Sequence, residues 1–141
     1  MGSRLIGRVQ SGEGNASHWL SKFNADYSRK VGGPVFPGSL NIALESRFDW
    51  YAPDIAHRTI AFDRAEYGGE RDILLLPCIL LNLAMQPAWL WTTTTAATDR
   101  DDPRVVEIIA AMNLREAFGL ADGSVVEIQL LAESGGSVGL G

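Results

Sequence analysis

Two short stretches of this chain carry side chains of the kind that handle phosphate and metal. Ser39 and Asn41 stand two residues apart after Pro37-Gly38, within a segment that alternates apolar and polar residues. On a strand, positions i and i+2 point to the same face. Two neutral oxygens side by side suit a hard cation that takes its negative charge from bound phosphates. An exposed polar strand face after a turn is the competing reading. The second stretch holds Glu107 among Val105, Val106, Ile108 and Ile109. A carboxylate in an apolar run needs a partner or solvent. It can accept a ligand hydrogen bond or a hydroxyl proton, or it can mark the wet side of an edge strand.

Other candidates are less specific. Gly12-Glu13-Gly14-Asn15 sits between a strand-like segment and a helix start. Glycines let backbone N–H groups approach an anion, and a helix N-terminus adds partial positive charge. The turn lacks the Lys and Ser/Thr of a P-loop and is not a GxGxxG, so a plain strand-to-helix turn stays open. Arg115, in Asn113-Leu114-Arg115-Glu116, can reach a ligand phosphate or base, or face solvent from a helix. Trp89 and Trp91 share one strand face; they either stack on a flat ring or fill the core. His18 and His57 are far apart in sequence, and ordinary roles are expected of both. There is no serine-hydrolase elbow and no HExxH.

These residues must be positioned by a small number of elements. Leu5 to Gln10 reads as a first strand. Ala16 to Val31 reads as the main helix, with Trp19, Leu20, Phe23 and Tyr27 near i, i+4, i+8 spacing. Asn15 or Ser17 caps its start and Gly32-Gly33 ends it. Ser39 to Glu45 is a half-buried strand, with Leu40, Ile42 and Leu44 on its apolar side. Further strands are expected over Arg58–Phe62, Asp72–Leu76, Cys78–Leu83, Trp89–Thr95, Val105–Ile109 and Ser124–Leu131. Ala96 to Arg104 reads as a polar loop, and Asn113 to Phe118 as a short second helix. Many short strands, regular turns and few helices point to a mainly β protein, a small closed barrel. Residues 1–132 are expected to form one domain, with 133–141 as a flexible Gly/Ser-rich tail.

Length and composition agree. The chain has 141 residues, 46% hydrophobic and 21% charged, the makeup of one globular domain rather than a disordered chain. No apolar run reaches the roughly 20 residues of a membrane span, and no secretory signal is visible at the start. A single cysteine, Cys78, excludes an internal disulfide and a cysteine-based zinc site, and a reducing cytoplasm is the expected home. The net charge of −5 argues against non-specific nucleic-acid binding. It leaves a bound nucleotide open, because backbone amides hold phosphate inside acidic proteins.

Taken in order, five segments resemble the CTP-dependent riboflavin kinase family. They are Gly7-Arg8-Val9-Gln10-Ser11-Gly12, Pro37-Gly38-Ser39-Leu40-Asn41-Ile42-Ala43-Leu44, Val106-Glu107-Ile108-Ile109-Ala110, Asn113-Leu114-Arg115-Glu116 and Leu120-Ala121-Asp122-Gly123. The resemblance runs from about Leu5 to Ile128. It implies a cradle-loop β-barrel that transfers the terminal phosphate of CTP to the 5′-hydroxyl of riboflavin, giving FMN and CDP. It implies nucleotide contacts at Gly12, Glu13, Gly14 and Asn15, and again at Met112, Asn113, Leu114 and Arg115. It implies Mg²⁺ at Ser39 and Asn41, Ser standing where Thr is commoner. It implies flavin contacts at Glu107 and Thr98, with Glu107 as the catalytic carboxylate. The chain departs from the family in a shorter Gly-rich turn, in Ala110-Ala111 for Ala-Pro, and in the Thr-rich stretch before Glu107. The acceptor should be read by that stretch. A CTP-dependent kinase of another small alcohol, and a non-catalytic nucleotide- or flavin-binding barrel, are the alternatives. The implied partners are small molecules, with neither nucleic acid nor membrane.

Overall fold

The computed structural model describes residues 4–12 and 15–131, without the side chain of Asn15. Glu13, Gly14, the 133–141 tail and the outer limits of the expected domain lie outside the described residues. Seven strands run β1 (Arg4–Gln10), β2 (Leu40–Leu44), β3 (Ile60–Phe62), β4 (Ile73–Leu80), β5 (Gln86–Thr93), β6 (Val105–Ile109) and β7 (Val125–Leu130). All pairings are antiparallel, in the order β3-β4-β5-β6-β2-β1-β7, and β4 also pairs with β7. Six strands therefore close a barrel, and β3 is appended to the outer edge of β4. This is the mainly β closed barrel that the short alternating strands predict.

Alternation sorts the side chains onto two cores. Strand β2 buries Leu40, Ile42 and Leu44 and turns Asn41 and Ala43 outward. The inward set meets Val9, Leu90, Val106, Ile108, Val126 and Ile128 inside the barrel. Burial of each large apolar side chain contributes about 1.5–3 kcal/mol. A second core lies outside the wall. There Leu20 and Tyr27 pack on Ile73, Leu75, Trp91 and Ile109 from the outer faces of β4, β5 and β6. Among the described residues, no buried side-chain nitrogen or oxygen lacks a hydrogen-bond partner. No helix among them is long and apolar enough to cross a membrane.

The helices differ from expectation. The main helix is divided into α1 (Asn15–Lys22) and α2 (Asn24–Val31) at Phe23, where φ is −111° and ψ 26°. The turn stays continuous, since Phe23 N–H donates to the Trp19 carbonyl and Tyr27 N–H to the Phe23 carbonyl, both at 3.0 Å. The Asn24 amide, bonded to the Val35 carbonyl at 2.8 Å, is drawn to the following loop. Gly32 ends α2 as expected, with φ 84°, a conformation glycine takes without a Cβ penalty. Short helices α3 (Pro53–Ala56) and α4 (Arg64–Tyr67) were not foreseen. The expected polar loop over Ala96–Arg104 is instead opened by helix α5 (Thr94–Asp99), because Thr93 Oγ1 accepts the Ala96 N–H at 3.0 Å and caps its start. The expected short helix is present as α6 (Leu114–Phe118).

Asp72–Leu76 and Cys78–Leu83 were expected as two strands, yet β4 runs through Pro77 without a break. Its edge toward β3 covers Ile73 to Leu75, and its edge toward β7 begins at Cys78. Pro77 lies at the handover. Its carbonyl faces β7 and accepts from Leu131 N–H at 3.0 Å. The missing proline donor falls on that same side, where only the strand end lies opposite.

The β4–β5 hairpin turns through Ala84 and Met85, with φ 56° and 57°. Both positions are left-handed, as a type I′ turn requires, and Asn-Gly suits them best. A side chain there costs roughly 1 kcal/mol or more. Changing Ala84→Asn together with Met85→Gly is expected to stabilise the protein by about 1 kcal/mol, or about 3 °C in Tm. A lower Tm in calorimetry would count against the turn geometry.

Candidate functional site

One cross-strand row organises the site. Gln10 of β1 stands opposite Asn41 of β2, Asn41 opposite Glu107 of β6, and Glu107 opposite Trp91 of β5. Directly opposed residues share a face with Cβ atoms about 5 Å apart. The row lies on the outer face of the barrel, because Ile42, Val106, Ile108 and Leu90 alternate inward. All four side chains line a cavity of about 710 Å³. Trp19, Phe23 and Tyr27 of the helix pair wall it on one side, with Tyr67 beside them. The Trp91 indole N–H donates to the Tyr27 hydroxyl at 2.8 Å, and both residues are buried. Burial pushes the Tyr27 hydroxyl's pKa above its ordinary value, against the pull of that bond.

Glu107 is held from two sides. The Ser39 hydroxyl donates to its Oε1 at 2.8 Å. Arg100 Nη2 donates to its Oε2 at 2.7 Å. Gly12 faces Asn41 so closely that a Cβ on it would lie 2.3 Å from the Asn41 amide nitrogen. A side chain at this position would push the Asn41 amide out of its place. Beside Glu107, Ser39 and Asn41 thus offer a hydroxyl and an amide oxygen two residues apart. That donor set fits a magnesium ion that keeps most of its ligands from phosphate and water.

Glu13 and Gly14 lie outside the described residues; of the other candidates, those that line a cavity are divided among three. Gly12, Asn41 and Glu107 meet at the large one. Ser39 lines an adjoining cavity of about 160 Å³ with Met112, Asn113, Leu114 and Arg115. The Ser39–Glu107 hydrogen bond joins the two. Leu114 belongs largely to the barrel core, and Asn113 Oδ1 accepts the Glu116 N–H at 3.2 Å as the cap of α6. Thr98 is not brought to the large cavity. It lines a third, of about 230 Å³, with Phe48, Trp50 and Tyr51, and its hydroxyl donates to the Thr95 carbonyl at 3.2 Å. Trp91 lines the large cavity, whereas Trp89 packs against the outer core.

Sequence reasoning missed Gln10, Arg100 and Asp122. Gln10 could have been found from its place at the end of the first strand, directly before the Gly-rich turn; its pairing with Asn41 could not. Asp122 falls within the Leu120-Ala121-Asp122-Gly123 segment, whose sequence assigns it no contact. Its Oδ1 accepts Arg115 Nη2 at 2.7 Å and its Oδ2 accepts the Ser11 hydroxyl at 2.8 Å. It therefore ties the end of β1 to α6. Arg115, then Ser11, hold the Asp122 carboxyl below the usual carboxylate range. A lowered folded pKa gives stability that is present above about pH 4 and lost as pH falls through the folded value. Asp72 beside Arg64 and Asp102 beside Arg104 act in the same direction. Asp122→Asn is therefore expected to flatten part of the acid limb of a Tm-versus-pH curve. An acid limb identical to that of the unaltered protein would show that the tie contributes nothing.

The fold and site define a small closed antiparallel barrel domain with a polar cross-strand row beside an aromatic-walled cavity. Comparison with known proteins makes this more specific. The chain belongs to the CTP-dependent riboflavin kinase domain family: its model, CTP-dep_RFKase, described as "Domain of unknown function DUF120", matches residues 9–130. A riboflavin kinase of Pyrobaculum aerophilum is 32% identical over 136 residues, covering 91% of this chain and 60% of that protein. A riboflavin kinase of Pyrobaculum arsenaticum is 29% identical with the same coverage. One from Staphylothermus marinus is 26% identical over 130 residues, covering 92% of this chain and 93% of that protein. The chain thus spans 60% of the length of the two Pyrobaculum relatives.

Proposed function

We propose that this protein is a CTP-dependent kinase that phosphorylates the 5′-hydroxyl of riboflavin, giving FMN and CDP. The observation that carries the reading is the row Asn41–Glu107–Trp91. It sets a carboxylate between the Asn41 amide and the Trp91 indole on the wall of an aromatic-lined cavity, which would suit a planar ring system. The relatives named riboflavin kinase support the acceptor. The family name supports CTP.

Phosphoryl transfer depends on in-line positioning and charge neutralisation more than on covalent chemistry by the protein. In this reading the acceptor oxygen attacks the γ-phosphorus as its bond to the bridging oxygen of CDP breaks. Glu107 orients the acceptor hydroxyl and takes its proton. Ser39 and Asn41 would hold Mg²⁺, which when bound neutralises the phosphate oxygens. Gly12, Glu13, Gly14 and Asn15 would cradle the phosphates through backbone amides, and Met112 to Arg115 would hold the cytidine side. The aromatic wall at Trp91 and Tyr27 would receive the flavin ring.

A second reading keeps the donor and changes the acceptor to another small alcohol. The observation favouring it is Thr98, which stands outside the large cavity. Incubation with CTP, Mg²⁺ and riboflavin, followed by chromatography for FMN, tests the first reading. FMN formation with CTP and much less with ATP is the expected result, because a wrong base leaves buried polar groups unpaired. No FMN, together with tight CDP binding by calorimetry, would transfer the case to the other alcohols.

A further inference from the structure

We propose that Arg100 is the positioning residue of Glu107, and through it fixes how the acceptor hydroxyl is held; this rests on the kinase reading above. Arg100 is the residue that follows α5, whose start is anchored by the Thr93 cap. From there its guanidinium reaches Glu107 Oε2 at 2.7 Å, while Ser39 holds Oε1 at 2.8 Å. The pair is withdrawn from solvent, with 25% of the Arg100 side chain and 15% of the Glu107 side chain exposed. The arginine–aspartate pairs Arg104–Asp102 and Arg64–Asp72 are more open by comparison.

The geometry has a specific consequence. A carboxylate tied at one oxygen swings about its last torsion. Two donors on two different oxygens fix its plane. An ionised carboxylate has about four lone-pair sites, so two remain for a ligand. Those two receive a fixed direction from Arg100 and Ser39. Arg100 also lines both the large cavity and the cavity behind α5. The Thr-rich segment and α5 thus meet the large cavity through Thr93, Thr95, Ala96 and Asp99, and meet Glu107 through Arg100, while Thr98 stands outside that cavity.

The test compares Arg100→Met and Arg100→Lys in steady-state kinetics with CTP, Mg²⁺ and riboflavin. Loss of a charge-assisted hydrogen bond should lower kcat/KM for riboflavin by about tenfold or more in Arg100→Met. The CDP dissociation constant by calorimetry should stay unchanged. Arg100→Lys should regain most of the loss, and Arg100→Gln, with the same loss expected, takes the place of Arg100→Met if that variant does not fold. In a Glu107→Gln background, Arg100→Met should add little further loss. Riboflavin kinetics like those of the unaltered protein, an equal loss of CDP affinity, no recovery with lysine, or additive losses in the double variant would each overturn the proposal. If the unaltered protein forms no FMN, the kinase reading fails by itself. The thermal shifts of the two single variants and the double variant then decide: non-additive shifts keep Arg100 as the holder of Glu107, and additive shifts overturn it.

Discussion

Asn41→Ala is expected to cut CTP-dependent formation of FMN by about 100-fold, the scale of loss when reacting groups are misplaced by about an ångström. Asn41 occupies the middle of the polar row, between Gln10 and Glu107. Its amide lies against Gly12, at the start of the turn proposed to cradle phosphate. Removing it takes away one proposed magnesium ligand and the close approach to Gly12. The barrel should survive, because the core side of β2 is carried by Leu40, Ile42 and Leu44. Ser39→Thr should retain activity, since the hydroxyl is kept. Ser39→Ala should lose it, since Glu107 Oε1 then loses its donor. Near-normal turnover by Asn41→Ala across a magnesium titration would remove the metal assignment.

Trp91→Ala should have the largest effect on stability. Trp91 is 5% exposed and packs with Tyr27, Leu75 and Ile109 in the outer core. Emptying such a site costs about 3–5 kcal/mol. It also leaves the Tyr27 hydroxyl, in a residue only 1% exposed, without the indole donor. Against a typical total of about 5–15 kcal/mol, this takes a large share of the protein's stability. Trp91→Phe keeps most of the volume and should cost less, near the roughly 1–3 kcal/mol of an unmade buried hydrogen bond. Urea unfolding gives both values. A loss below about 1 kcal/mol for Trp91→Ala would mean that the outer core repacks and that the helix pair is not held by this contact.

Strand alternation was the most legible signal. Val105–Ile109 is the strand expected, with Val106 and Ile108 inward and Glu107 outward. The same alternation correctly put Asn41 opposite in sense to Leu40 and Ile42. What local pattern could not supply was register. Nothing in the sequence near Asn41, Glu107 and Trp91 says that three separate strands bring them level. The Thr-rich stretch misled because threonine favours strands, while its hydroxyl also caps helices. The cap won at Thr93, and Arg100 was carried to Glu107 as a result. Pro77 misled in the opposite direction: a proline usually ends a strand, but here the ladder changes partner at that residue.

The closing strand has a consequence for how the protein is made. Val125–Leu130 is hydrogen-bonded to β1 on one side and to β4 on the other, and Arg4 pairs with Gln129. A ribosome that has synthesised everything up to Gly123 has produced five staves of a six-stave wall. The edges of β1 and β4 then show rows of unpaired amides and carbonyls, ready to accept a strand from any neighbouring chain. Nothing earlier in the sequence covers both. Completion joins residues more than a hundred positions apart, a long-range step of the kind that slows folding. Until that strand is made, the open edges of β1 and β4 are expected to favour association with neighbouring chains, and truncation before Val125 should yield an open sheet rather than a smaller closed barrel.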